Sequence, residues 1–267
     1  MSTHDFITEL FCRVDDELGE VPKHRQAGLH PSEVVTLGLL FAIKGVDNRA
    51  FYRWLGRDYL DLFPHLPERT RLFRLFATHR EWAERFLAET TLLGVVDTYG
   101  IELVHPNIKG RSKRQIGKKG LSNRRWIVGA KVGLVLNKWG LVCAWDCATA
   151  NVHDAAFQPM VEQFEEQEEQ MVVLTDCGFH RQSKFGGDPS NMLARKRGEW
   201  HTRMMVETVL SMLHTVCHLK HMAHRVWSYL HAHLAYLVAA FNILTQWHGL
   251  EADEHGRVHL SFTQSSL

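Results

Sequence analysis

The chain has 267 residues, 45% hydrophobic and 23% charged, with a formal net charge of +1. That balance is ordinary for a globular protein, leaves room for one large domain or two small ones, and excludes a disordered chain. The apolar runs at 34–43 and 234–244 are each about half the roughly 20 residues a membrane helix needs, and the N-terminal residues lack a signal peptide's basic-then-apolar order, so a cytoplasmic protein is expected.

Residues 1–91 read as a helical region. His30-Pro31-Ser32-Glu33 opens a helix in which Val34, Leu37 and Phe41 recur at helical spacing, with Gly45 as its C-terminal stop. A second helix starts near Asp47-Asn48 and sets Arg49, Arg53 and Arg57 on one stripe opposite Phe51 and Leu55. Two helices around a glycine turn, the second basic, outline a helix-turn-helix DNA reader, although a solvated arginine face gives the same pattern. Further helices are expected over 68–78 and 80–91.

The pattern changes at Leu92. Leu92-Leu93-Gly94-Val95-Val96 is a short apolar strand ending in Asp97. Between 109 and 125 stand eight cations, Lys109, Arg111, Lys113, Arg114, Lys118, Lys119, Arg124 and Arg125, and no Asp or Glu. Such a loop can neutralise several phosphates, or it can be a solvated charged segment. Strands follow at 126–136 and 140–147, joined by the turn Asn137-Lys138-Trp139-Gly140. A helix is expected from His153-Asp154 to about 167, with Asp154 as its cap. Another buried strand over 171–174 leads into Asp176. A loop then covers 178–198, followed by a long helix over 200–220 and a last one over 226–247. This order predicts an α/β fold, a mixed sheet flanked by helices and preceded by the helical region, with residues 92–250 as the second unit and 251–267 as a tail.

Three carboxylates stand out: two apolar strands each end in an aspartate, Asp97 and Asp176, and Glu207 interrupts the apolar helix segment Met204-Met205-Val206 to Leu210. A strand-end Asp is also a common turn residue, and Glu207 can equally be a boundary residue paired with Arg203. Brought together, the three would suit Mg²⁺, which prefers hard oxygen ligands; two such ions activate attack and stabilise the leaving group at phosphorus. His214, His218, His221 and His224 recur at i, i+4, i+7 and i+10 along one helical face, a pattern compatible with zinc but with no second cluster to complete a site. The five cysteines make no C-x-x-C pair and read as reduced thiols. Neither a G-x-S-x-G nor a G-x-x-x-x-G-K-[ST] motif is present, so no nucleotide cofactor is expected.

Over nearly its whole length the chain resembles the DDE transposases of bacterial insertion sequences. Val95-Val96-Asp97 looks like that family's first aspartate, and the basic segment ending Gly117-Lys118-Lys119-Gly120 like the loop before its second strand. Ala150-Asn151-Val152-His153-Asp154 is similar to its N-x-H-D turn, and Asp176-Cys177-Gly178-Phe179 to its D-x-G-[FY] motif. Arg203 and Glu207 match its signature Y-x-x-R-x-x-x-E-x-x-x-x-x-x-K, while Trp200 and His214 replace the Tyr and Lys. The resemblance implies a ribonuclease H-like catalytic domain in which Asp97, Asp176 and Glu207 hold two Mg²⁺ or Mn²⁺ ions. It further implies cleavage and strand transfer at the terminal inverted repeats of an insertion sequence, a homodimer on DNA, nucleoid association, and Arg203 at a phosphate. The same carboxylates would serve a nuclease without strand transfer, an inactive copy would only bind DNA, and a histidine-rich metal-storage protein is the rival from another class.

Overall fold

The structure, a computed structural model, describes residues 2–105, 109–110, 115–122, 125–165, 170–180, 187–194, 200–219, 222 and 224–247, with the backbone alone at 200–204. Helix α1 (Thr3–Leu18) begins at Ser2, whose hydroxyl accepts from the Asp5 amide while the Asp5 carboxylate accepts from the Ser2 amide, both at 3.1 Å. This reciprocal pair satisfies two of the amides that a helix start leaves without partners.

Helix α2 (Pro31–Lys44) starts on a proline, where no amide is missed, and stops at Gly45, whose φ of 60° is left-handed and whose amide donates to the Phe41 carbonyl. Nearly every α2 side chain is buried, because the helix runs through the middle of the helical layer, against α1, α4 (Arg69–Thr78) and the C-terminal helix α7 (Trp227–Trp247). Helix α3 (Asn48–Asp58) is capped by the Asp47 carboxylate, which accepts from the amides of Arg49 and Ala50. The helix expected over 80–91 is shorter: a 3-10 turn spans Arg80–Phe86. Beyond it the chain is held extended, because the Ala88 amide donates to the Val142 carbonyl instead of continuing a helix.

The sheet contains β1 (Leu93–Val104), β2 (Lys118–Ser122), β3 (Arg125–Asn137), β4 (Val142–Thr149), β5 (Val172–Thr175) and β6 (Met192–Ala194). Its order is β2-β3-β1-β5-β6, with β4 also pairing β3. Strands β2 and β4 share the outer edge of β3, which runs antiparallel to β1, whereas β5 and β6 run parallel to β1 and β5 respectively. The molecule is therefore mixed α/β, as the element order predicts.

Further expectations are corrected in the sheet and the turns that follow it. Strand β1 does not end at Asp97 but continues to Val104, because β3 supplies a partner along that whole length. Part of the basic loop is strand β2, and the loop expected over 178–198 contains β6; both are short strands recruited by pairing. The helix expected to reach 167 is replaced by a 3-10 turn (Asp154–Phe157) and the single turn α5 (Pro159–Glu162), since Pro159 has no amide to continue the first.

Helix α6 (Trp200–Thr215) also ends before 220: the Val216 amide donates to Met212, the Leu219 amide turns back to Leu213, and His218 takes a left-handed φ of 52°. The single histidine face expected from His214 to His224 is thus not formed, and His221 lies outside the described residues.

Two cores result. The larger runs from the N-terminal helices through α6 and α7 onto the face of the sheet carrying Val95, Ile101, Val132 and Leu134. The smaller lies under the opposite face, where Val96, Val135 and Val173 meet Phe157, Val161 and Phe179. Among the described residues no helix is long and apolar enough to cross a membrane.

Candidate active site

Strand register brings the two aspartates to the same end of the β1–β5 pair. Strands β1 and β5 pair in parallel as Leu93 with Val172, Gly94 with Val173 and Val95 with Leu174. The pairing stops there, and Asp97 and Asp176 each stand two residues past this last pair. There β5 ends and the chain turns: the Asp176 carboxylate accepts from the Gly178 amide at 2.8 Å, starting the 3-10 turn Cys177–Phe179. Asp97 is half-buried, and its Oδ1 accepts from the Thr98 amide at 2.7 Å. Past this point β1 runs on toward Val104 without β5, and a groove of about 490 Å³ opens along it, lined by Tyr99, Glu102, His105, Ser122 and Arg125 among others.

Alternation along β1 puts Asp97 on the face of Val95, Tyr99 and Ile101. Helix α6 covers that face through Val206, Val209 and Leu213, and the His214 ring meets Tyr99 edge-on at 4.6 Å between centroids. Glu207 is exposed, two helical turns before His214 on the same stripe. Asp97 therefore lies on this face and Glu207 on the helix that covers it, while Asp176 stands at the end of β5. They are not closed into a cage: among the described residues no three His, Cys, Asp or Glu side chains stand close enough together to hold a metal ion. The donor set itself, three carboxylates and no thiolate, is of the hard type that Mg²⁺ and Mn²⁺ take.

A further acid adjoins Asp176. Asp154 is not the cap expected of it; His153 occupies that position, its Nδ1 accepting from the Ala155 amide. Instead Asp154 Oδ1 accepts from the Thr98 hydroxyl and from Lys131 Nζ, both at 2.8 Å, and Lys131, almost fully buried, also donates to the Val152 carbonyl. A Cβ placed on Gly178 would lie 3.0 Å from Asp154 Oδ2 and 3.1 Å from Asp176 Oδ1, so these two carboxylates approach within about 6 Å. Glycine at this place in the D-x-G motif leaves them room. The signal for Asp154 was Lys131, a lysine inside an apolar strand, which needs a buried acceptor.

Behind Asp176 the turn is braced. His180 Nδ1 meets Asp188 Oδ2 at 2.7 Å and its Nε2 meets the Thr175 hydroxyl at 2.9 Å, while Gln158 Nε2 donates to Asp188 Oδ1 and to the Phe179 carbonyl. With Nδ1–H donating to the carboxylate, Nε2 accepts from the threonine. The order Thr, His, Asp is that of a hydrolytic triad, but Thr175 is fully buried and its hydroxyl faces no solvent, so the chain of bonds holds the turn in place.

Of the basic residues, Lys109, Lys118, Lys119 and Arg125 are exposed, Arg125 pairing with Glu102. Arg49, Arg53 and Arg57 lie exposed along α3, Arg57 clasping Asp58 with two hydrogen bonds. Arg111, Lys113, Arg114 and Arg124 lie outside the described residues, as does the Arg203 side chain. Comparison with protein-family models, with curated proteins and with solved structures finds no match to this chain.

Proposed function

We propose that the chain is a DNA transposase of the DDE kind, with a ribonuclease H-like catalytic unit that cleaves and joins DNA at the inverted repeats of an insertion sequence. The observation that carries it is the parallel register of β1 and β5, which would bring Asp97 level with Asp176 if continued two residues past its last pair, at the point where β5 stops and a groove begins. Glu207 on the covering helix supplies the third acid, and the resemblance of the three surrounding motifs supports the assignment. Two Mg²⁺ or Mn²⁺ ions, when bound, supply activation of the attacking oxygen and neutralisation of the leaving one.

The chain's own residues do the rest. Asp97, Asp176 and Glu207 would hold these ions, the last from α6. Thr98, Lys131 and Asp154 hold the back of the site, and the His180–Asp188–Gln158 bonds fix the Asp176 turn. Lys109, Lys118, Lys119 and Arg125 neutralise DNA phosphates, with Arg203 at the phosphate nearest the site and the arginines of α3 contacting the DNA ends. Two copies of the chain hold two ends, and association with the nucleoid follows from DNA binding.

The test is Mg²⁺-dependent nicking of a DNA carrying the flanking inverted repeats, followed by joining of its labelled 3′ end to a plasmid. Asp97→Asn, Asp176→Asn and Glu207→Gln should each lower nicking by at least about a thousandfold, in proportion to the transition-state charge they help to offset. Nicking without joining would assign a nuclease; DNA binding without nicking at any Mg²⁺ or Mn²⁺ concentration would leave only a DNA-binding protein.

A further inference from the structure

Strands β2 and β3 project a hairpin whose two faces differ. Gly120 lies against the chain at Ala150, so close that a Cβ there would meet the Ala150 carbonyl carbon and oxygen, and its partner Ile127 is buried. The alternate positions face outward. Leu121 and Trp126 stand directly opposite each other across the two strands, 54% and 56% exposed. The Lys119 ammonium lies 4.8 Å from the Trp126 ring centroid; Lys118 and Arg125, also exposed, belong by alternation to the other face, where Arg125 pairs with Glu102.

Single exposed apolar residues are ordinary. A tryptophan and a leucine paired side by side, both at least half exposed, with Lys119 against the ring and Lys118 on the neighbouring strand edge, form a flat apolar surface with a positive rim. The rim calls for an anion and the ring for a flat apolar face. A DNA duplex satisfies only the first, since its bases are stacked inside and it would lay sugar and phosphate on Trp126. Unpaired nucleotides satisfy both, because every base has a face to stack and a phosphate to neutralise.

We infer that the outer face of the paired strands β2 and β3 is a stacking platform for unpaired nucleotides of a DNA strand, with Trp126 and Leu121 against the bases and Lys119, joined by Lys118 at the strand edge, along the backbone. This deepens the DNA-processing reading given above and rests on it. Trp126 is eight residues along β3 from Leu134, the partner of Asp97, which is about 27 Å of strand. The platform therefore engages the strand well away from the reacting phosphate.

The full chain is titrated, in EDTA, with a fluorescein-labelled oligothymidylate and with a blunt mixed-sequence duplex of the same length, following anisotropy. Trp126→Ala should weaken oligothymidylate binding about tenfold and duplex binding by less than about twofold, with Trp126→Phe recovering most of the loss. Lys118→Gln with Lys119→Gln should weaken both and reduce the slope against log salt by about two. Loss of equal size on both DNAs in Trp126→Ala, or no loss, overturns the platform; so does a shift of Trp126→Ala toward monomer in sedimentation, which would make the patch a contact between copies. If the wild type holds the duplex firmly while Trp126→Ala is silent, the platform fails alone; if the wild type binds neither DNA, the transposase reading fails with it.

Discussion

Lys131 sits in the middle of β3, with hydrophobic neighbours on both sides in sequence, and is only 9% exposed. A buried ammonium is tolerated where its protons are taken, and here the Asp154 carboxylate and the Val152 carbonyl each accept at 2.8 Å. Thr98 donates to the same Asp154 oxygen, so one carboxylate ties β1, β3 and the turn before α5 together. Lys131→Met removes the charge that compensates Asp154 while filling the same space. Because Asp154 keeps about a quarter of its side chain in solvent, the cost should fall below that of a fully buried pair, at about 2 kcal/mol. Urea unfolding of the variant checks this. A loss under about 0.5 kcal/mol would mean that Asp154 is as well solvated in the folded state as in the unfolded one.

At the scale of elements, α7 joins the helical layer to the sheet, and Asn242 is the joint. Its side-chain oxygen accepts from the Val142 amide at 2.9 Å, and its nitrogen donates to the carbonyls of Val142 and Phe86, both at 2.8 Å, with the residue wholly buried. Val142 is the first residue of β4, an end of the sheet that would otherwise expose its amide to apolar surroundings. Asn242→Ala strands that amide and the Phe86 carbonyl, and should cost about 3 kcal/mol in urea unfolding. A cost under about 1 kcal/mol would indicate that water takes the vacated bonds.

What sequence reveals of these elements follows from how locally each is determined. The long ones, α2, α7, β3 and β4, carry many periodic apolar residues and clear stops such as Gly45 and the Asn137–Gly140 turn. The three-residue β6 and five-residue β2 have too few residues for any period, and exist because β5 and β3 offer them edges. Pro159 was a readable sign that the helix after His153 would break. No glycine or proline marks the end of α6 at Thr215; the backward bond from Leu219 to Leu213 ends it, and packing against the sheet decides that. The same division holds for the site: Asp97 and Asp176 are legible because each follows an apolar run, but the offset that puts each two residues past the last β1–β5 pair belongs to the pairing of two strands far apart in the chain.

The whole molecule should be sensitive to acid through the junction between α6 and α7. His224 Nε2 and His233 Nδ1 lie 2.7 Å apart and share one proton, with the His233 ring against Phe41 of α2 at 4.7 Å between centroids. Asp47, Arg49, Arg225 and Tyr229 line the cavity around them, and His218 lies close enough to oppose a charge on His233. Burial pushes His224 down to about 4, and burial together with the neighbouring His224 and His218 pushes His233 down as well. Both are neutral in the folded chain at neutral pH, whereas in the unfolded chain they take up protons near the ordinary value of about 6.5.

The unfolded state therefore binds more protons below that pH, and the stability held by the neutral pair, complete above it, is lost as pH falls from about 6.5 toward the folded values. Each histidine contributes a slope of up to about 1.4 kcal/mol per pH unit, so together they should cost about 3 kcal/mol between pH 6.5 and pH 5. Carboxylates such as Asp47, held below their usual range by hydrogen bonds from the Ala50 and Arg49 amides, respond only at still lower pH and leave that window to the histidines. Urea midpoints measured across it should fall steadily. A flat profile down to pH 5 would require both rings to reach solvent in the folded chain, and with it a junction far looser than one sealed by Phe41 and Met222.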